Sequence, residues 1–369
     1  MKSAEHTIAR RQAAFDRFQE AYAPRIDASI HGFFKKKHDT APMGFMKDIY
    51  ADLREYCLRD GKRIRPLVLL ASFLGFSRGR TAPAAGVIKV GAALELMHAF
   101  LLVQDDIIDK SRTRRGGDAL HVVCERRFGA RSANPLLGSD VALIAGDVLF
   151  SNALQLISGA GIDGENLGPL LEYFGNTYEY TAWGQIYDSL NSMPMDIGAS
   201  MKSTLDISTL KTAYYTAYYP MAMGYVLTGG RERKRLRLIR DAAIPMGLAF
   251  QLRDDILGVF GDAGKTGKPA DSDIREGKMT ALVMHTLGTA DGRTKKEFTG
   301  LFLNREKSGR DIDRIRAIMR SSGAPEAVRM MVVENARKAS RGLKSLGLTR
   351  RAEAIFDGFI ARIEDVKAE

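Results

Sequence analysis

Apolar and polar positions alternate at helical period along almost the whole chain. Residues 8–23 are amphipathic but heavily charged, and Pro42–Leu58 predicts a second helix with Phe45, Ile49, Leu53 and Tyr56 or Cys57 turned inward. Helices are expected over 64–76, 83–110, 118–128 and 134–158, mostly separated by glycine, proline or polar punctuation. Past the GAGIDG turn at 159–164, the pattern predicts helices at 165–187, at 206–228 with a break or kink at Pro220, and at 232–262 with a bend at Pro245. Four further helical stretches complete the chain, and no segment alternates convincingly at period two. The segments 83–110 and 134–158 are apolar nearly all round, as expected of central helices enclosed by others. With no short repeat, low-complexity tract or linker, the economical expectation is one all-α domain over residues 1–369.

Two places break the apolar pattern in the same way. ELMHAFLLVQDDIIDKSRTRRGG, residues 95–117, runs from an apolar helix straight into three aspartates and then a basic, glycine-ended loop. Asp105 and Asp109 are four residues apart and stack on one helical face, whereas Asp106 lies about 100° round from Asp105. QLRDDILGVFGD, residues 251–262, repeats the theme with Asp254 and Asp255 at the end of an apolar run and Gln251 one turn before them. Like charges so arranged repel, and burying them unpaired is costly, so two such clusters suggest a shared counter-cation. A few hard oxygen ligands facing a cleft suit Mg²⁺, whose shell is completed by waters and substrate phosphates.

Composition narrows the partners. A chain of 369 residues with 45% apolar and 27% charged residues reads as soluble and globular. Two cysteines, Cys57 and Cys124, exclude a disulfide framework and a cysteine-rich zinc site, so a reducing cytoplasm is the default. No signal peptide is visible, and the stretches near 64–76 and 133–158 read as interrupted by polar residues or too short for a membrane span. The net charge of +11 favours anions, but RERKRLRLIR at 231–240 lacks interleaved aromatics for base stacking and reads as a solvated helix start rather than a nucleic-acid patch.

Cations accompany both aspartate clusters. Lys62, Arg63 and Arg65 precede a helix that opens with Pro66, Arg114 and Arg115 follow the first cluster, and Lys211, Lys268 and Lys278 occur singly. Guanidinium forks suit phosphate oxygens bidentately and ammonium groups act as point charges, so the whole describes a polyphosphate site. The glycine- and lysine-bearing loop 261–278 is long enough for a functional lid.

GKRIRP, ELMHAFLLVQ, DDIID with RRG five residues on, GQIYD at 184–188, KTAYY at 211–215, QLRDDILGVFGD and GKPADSDIREGK occur in one order over about residues 55–285. In these motifs the chain resembles the trans-isoprenyl diphosphate synthases, which make farnesyl, geranylgeranyl and longer prenyl diphosphates. The resemblance implies an all-α isoprenoid synthase fold, an orthogonal bundle of about a dozen helices around a central apolar cavity, commonly as a homodimer. It implies that Asp105, Asp109 and Asp254 ligate three Mg²⁺ ions on the diphosphate of an allylic substrate, contacted also by Arg114, Lys211 and Lys268. Lys62, Arg65, His98 and Arg115 match positions that hold the second substrate, isopentenyl diphosphate. Gln251 and Thr212 match positions that aim oxygen dipoles at an allylic cation, and Lys278 joins the phosphate-binding set. Asp105, Asp106, Asp109, Lys211, Thr212, Gln251 and Asp254 thus form the expected catalytic set. Gln185 and Asp188 fall near the metals in the family pattern, although bonding within the bundle would explain them equally; Asp262 reads as structural.

Two departures stand out: Gly258 replaces the last aspartate of the second cluster, and Asp60 stands where the family often has glycine. Phe100 and Leu101, one turn before Asp105, match the floor of the chain-growth cavity, and a single aromatic at 100 favours a C20 product, with C15 or C25 next. A terpene cyclase would not need Lys62, Arg65 and Arg115, and a non-catalytic subunit would not need both clusters intact.

Overall fold

The computed structural model describes residues 2–129, 133–191, 200–261 and 271–366, and these are helical almost throughout. They form two compact units, residues 16–170 with 224–229 and residues 1–15 with 171–223 and 230–369.

In the first unit, α1 (Lys2–Thr40, counted here from residue 16), α2 (Gly44–Leu58), α3 (Ile64–Phe76), α5 (Leu120–Phe128) and α6 (Leu137–Ser158) accompany the central α4 (Ala85–Ile108). α4 packs on α2, α3, α5 and α6, and it buries Glu95, His98 and Asp106 among its apolar residues. α1 runs far past the expected end at residue 23 and carries Pro24 in its interior. An interior proline costs a helix about 3 kcal/mol. Phe18, Tyr22, Ile26, Ile30 and Phe34, spaced by one turn, are all buried, and at about 1.5–3 kcal/mol each they outweigh that cost. On α2, Leu53, Tyr56 and Cys57 are buried as the pattern predicts, but Phe45 is 55% exposed because it sits in the first turn, ahead of the packed face. The only strands among the described residues form a hairpin of two residues each, β1 (Thr113–Arg114) and β2 (Gly117–Asp118).

In the second unit, α7 (Gly164–Asn191) contributes its residues from 171 onward. The single broken helix expected at 206–228 is instead three pieces: α8 (Met201–Ser208), a π-helix (Thr209–Tyr218) and α9 (Tyr219–Val226). Pro220 has no N–H to continue the α ladder, and the wide turns end just before it. α10 (Arg233–Phe260) packs against the π-helix and against α15 (Ala324–Lys344). α11 (Ser272–Glu276) follows, and then five further helices rather than four: α12 (Ala281–Thr289), α13 (Gly292–Leu303), α14 (Gly309–Ser321), α15 and α16 (Arg350–Glu364).

Although residues 133–158 read as interrupted by polar residues or too short for a span, α6, like α4, is by length and composition long and apolar enough to cross a membrane. The apolar window of α4 is 72% buried, which its place at the centre of the unit accounts for, and that of α6 is 44% buried.

Candidate active site

The last turn of α4 separates its aspartates by direction. Asp109 is exposed at the C-cap and Asp105 is partly open, while Asp106 is fully buried. The Tyr56 hydroxyl donates to Asp106 Oδ2 at 3.0 Å, and Arg114 Nε donates to Oδ1 at 2.7 Å. Arg114 Nη2 bonds Asp106 as well and reaches Asp105 Oδ2 at 3.3 Å. Burial pushes the Asp106 carboxyl up from its ordinary value, and Arg114 and Tyr56 pull it back down. Desolvation also raises the Tyr56 phenol, whose pKa the Asp106 charge lifts further, so it remains a donor. Asp106 therefore does not share the face of Asp105 and Asp109.

The RRG sequence makes the tight turn of the hairpin. Arg115 (φ 51°) and Gly116 (φ 74°) both take positive φ between the paired Arg114 and Gly117, which is the requirement of a type I′ turn. The turn sends Arg114 inward, leaving it 7% exposed, and puts Arg115 at the partly open tip. Arg59, which sequence reasoning missed, fixes the hairpin by donating to the carbonyls of Arg114 (3.1 Å) and Asp118 (2.7 Å).

The GKRIRP segment meets this hairpin at Gly61. A Cβ there would fall 2.7 Å from Arg63 Nη1 and 3.1 Å from the Arg115 guanidinium carbon, so a larger residue would have to displace one or both guanidinium groups. Lys62 is exposed, Arg63 buried and Arg65 half-buried. His98 is 9% exposed. Burial first, and then the charges of Arg65, Arg115, Arg114 and Arg63, hold its imidazole well below the ordinary value. It is a neutral ring set among the cations expected to bind a diphosphate. Lys62, Arg65, His98, Arg114 and Arg115 thus gather in one unit with Asp105 and Asp109. Phe100 is buried on the same helix, its ring 5.5 Å from that of Phe150 and against Gly146 of α6; Leu101 is half-buried.

In the other unit, the π-helix carries Lys211 and Thr212. Lys211 Nζ bonds Asp188 Oδ2 at 2.8 Å, so Asp188 does pair within the helices. Thr212 Oγ1 donates to Gln251 Oε1 at 2.7 Å, and Gln251 Nε2 donates to Asp255 Oδ1 at 2.7 Å, which fixes the amide's orientation. Burial pushes the Asp255 carboxyl up to about 7 despite the opposing charge of Lys278. Asp254, beside it, has a side chain 41% exposed and lies 3.6 Å from Arg253. The glycine at 258 has a local reason: a Cβ there would run into the Asp273 carboxylate, so Asp273 fills the space of the missing aspartate side chain. Lys268, Asp262 and most of the expected lid lie outside the described residues. A cavity of about 380 Å³ in this unit, lined by Ile256, Phe260, Arg320 and Arg329 among others, contains none of the expected site residues.

Residues 47–319 match the polyprenyl synthetase family. The chain belongs to this family. A geranylgeranyl diphosphate synthase from Saccharolobus solfataricus is 33% identical over 264 residues, 70% of this chain and 73% of the relative. A geranylfarnesyl diphosphate synthase from Aeropyrum pernix is 32% identical over 72% of this chain and 77% of its own. Among solved structures, a geranylgeranyl pyrophosphate synthase from Corynebacterium glutamicum, complexed with isoprenyl diphosphate and magnesium, superposes with a TM-score of 0.87 at 28% identity, covering 96% of this chain and 99% of that one. The all-α fold of this polyprenyl synthetase is therefore the isoprenoid synthase fold.

Proposed function

We propose that this polyprenyl synthetase is a geranylgeranyl diphosphate synthase that condenses isopentenyl diphosphate with an allylic diphosphate and releases diphosphate. One observation carries the reading: Arg65 and Arg115 lie close enough to neutral His98 to lower its pKa, in the same unit as the carboxylates Asp105 and Asp109 and as exposed Lys62 of the GKRIRP segment. An enzyme that only ionises its substrate has no use for a second set of phosphate ligands.

The donor set fits magnesium. Asp105 and Asp109 offer hard oxygens one turn apart at a partly open helix end, and among the described residues no group of three or more His, Cys, Asp or Glu side chains is placed to hold a metal ion. Mg²⁺ is characteristically held by one or two carboxylates and by substrate phosphates. In this reading Asp105, Asp109 and Asp254 are the carboxylates that would hold the Mg²⁺, three ions in all, together with the phosphates of the allylic substrate. When bound, the ions neutralise the leaving diphosphate as its C–O bond breaks.

Arg114, Lys211 and Lys268 add charge to that leaving group, and the fixed partners of Arg114 and Lys211 spare reorganisation as the bond lengthens. Gln251, oriented by Thr212 and Asp255, aims its amide dipole at the resulting cation. Lys62, Arg65, Arg115 and His98 hold isopentenyl diphosphate with its double bond ready to attack, and Lys278 keeps the Gln251–Asp255 corner in balance. A proton then leaves to the released diphosphate, so no side-chain nucleophile is needed. Phe100 limits growth at C20; farnesyl and geranylfarnesyl products are the alternatives.

The exposed apolar side chains of α6, Leu143 (45%), Ile144 (64%) and Leu154 (39%), support a homodimer closed over that helix. Light scattering on wild type and Ile144→Glu tests it: a dimer that the substitution splits is expected, and a wild-type monomer refutes it. The activity itself is tested with purified protein, Mg²⁺, labelled isopentenyl diphosphate and the C5, C10 and C15 allylic diphosphates. Elongation to C20 is expected, and failure with every starter overturns the reading.

A further inference from the structure

The GKRIRP loop is held in a conformation it would not adopt alone. Arg63 has φ 50°, the left-handed region, although it is neither glycine nor asparagine. Such a residue persists only where its surroundings over-determine it. Here they do: the Arg63 side chain is 2% exposed, and Nε donates to Asp27 Oδ1 at 2.7 Å. Nη1 reaches Glu95 Oε2 at 3.4 Å and Nη2 donates to the Arg59 carbonyl at 3.0 Å. Three helices, α1, α4 and α2, thus close on one guanidinium whose own backbone begins α3. Its shortest bond is to α1.

α1 grips the loop a second time. Gln19 Nε2 donates to the Lys62 carbonyl at 2.8 Å. Gln19 and Asp27 are eight residues apart, about two turns, and so lie on one stripe of the helix. Between and beyond them Tyr22, Ile26 and Ile30 are buried, which anchors the stripe in the unit. The backbone reversal at Arg63 has a directional consequence: Arg63 points inward, whereas its neighbours Lys62 and Arg65 are left exposed and half-buried, and Arg65, like Arg115, lies close enough to His98 to lower the pKa of its imidazole.

The match to the polyprenyl synthetase family begins at residue 47, so α1 lies outside it. We infer that α1 is the positioning element of the isopentenyl diphosphate site, and that Asp27 and Gln19 are positioning residues that set Lys62 and Arg65 through Arg63 and the Lys62 carbonyl. This rests on the proposed synthase reading for the identity of the ligand. Neither residue is assigned a contact with a diphosphate. Their effect is to pre-form a cation pair that would otherwise be ordered at the expense of binding.

Asp27→Asn, Gln19→Ala and Asp27→Glu test the inference by steady-state kinetics with each substrate varied separately. Asp27→Asn is expected to raise KM for isopentenyl diphosphate roughly tenfold, the loss of one charged hydrogen bond, with kcat and the allylic KM within about twofold. Gln19→Ala should act the same way more weakly, and Asp27→Glu should recover most of the affinity. Backbone amides of residues 60–65 should exchange faster in Asp27→Asn while those of α4 do not. An unchanged isopentenyl diphosphate KM, or both KM values rising together with a lowered Tm, overturns the inference in favour of a purely structural contact. Should the wild type elongate no starter, the synthase reading falls by itself. The exchange at 60–65 and the affinity for inorganic diphosphate, compared between wild type and Asp27→Asn, then still decide the positioning role.

Discussion

Asp105 and Asp106 are neighbours in sequence but should fail in different ways when neutralised. Asp106 is fully buried and accepts from Tyr56 and twice from Arg114, which is itself 7% exposed. Asp106→Asn keeps an acceptor oxygen but removes the charge, leaving a buried guanidinium with Asp105 at 3.3 Å as its carboxylate. Removing one partner of a buried ion pair costs about 3–5 kcal/mol, and the retained oxygen places this case near the lower end, about 3 kcal/mol. Tyr56→Phe deletes one hydrogen bond to a charged group and should cost about 1.5 kcal/mol. Asp105→Asn weakens the longer bond to Arg114 at a partly open position and relieves repulsion from Asp106, so stability should stay within about 0.5 kcal/mol of wild type. Activity should rank differently. Asp105→Asn removes a proposed metal ligand and should lower kcat by about 10²-fold or more, with the Mg²⁺ requirement shifted to higher concentration. Asp106→Asn should lose less and chiefly raise KM for the allylic substrate, because Arg114 is no longer aimed. Guanidinium denaturation without metal, paired with Mg²⁺ titrations of the rate, reads both axes. If Asp106→Asn is as stable as wild type, or if Asp105→Asn loses as much stability as Asp106→Asn, the division of labour argued here is wrong.

Phe100→Ala should lengthen the products by at least one C5 unit and cost about 3 kcal/mol, since the ring is buried against Phe150 and Gly146; Phe100→Leu should give the same direction at smaller cost, read by chromatography after dephosphorylation. Restoring the family's aspartate with Gly258→Asp should harm rather than help, because the new side chain meets the Asp273 carboxylate; a loss of about 1–3 kcal/mol with reduced activity is expected, and an equally stable, faster enzyme refutes the account. Burial pushes Cys57 up to about 12 and Cys124 up to about 11, so at pH 8 the thiolate fractions are about 10⁻⁴ and 10⁻³ and an aromatic disulfide reagent should label neither until the protein is unfolded. The same shifts set a direction: the unfolded thiols ionise from about 9, so stability should decline as pH rises from there toward 12, and Cys57→Ser should flatten that decline.

What the sequence displays is the chemistry that one element carries by itself. The spacing of Asp105 and Asp109 places both on one face of α4 whatever surrounds it, and the all-α class follows from periodicity in the same way. The same spacing turns Asp106 about 100° off that face, but its burial could not be read there, because it depends on a hairpin that is only two residues per strand and too short to show alternation. The RRG motif did contain that hairpin, in the form of a residue and a glycine that both accept positive φ. Pro24 argued locally for a helix end, and five buried side chains from Phe18 to Phe34 overrode it; their one-turn spacing was there to be counted. Gly258 shows the limit most plainly. As a motif position it is a missing ligand, and nothing near it in sequence explains the absence. Asp273, fifteen residues on, explains it once both stand side by side: a second carboxylate at 258 would compete for space and charge with one already present. Lys62 and Arg65 follow the same logic in reverse. Their residue types announced a phosphate site, but what makes the site rigid is a pair of polar residues on α1, Gln19 and Asp27, that belong to no motif at all. A motif fixes which groups meet the substrate, and the helices that meet the motif from behind fix how firmly they are held.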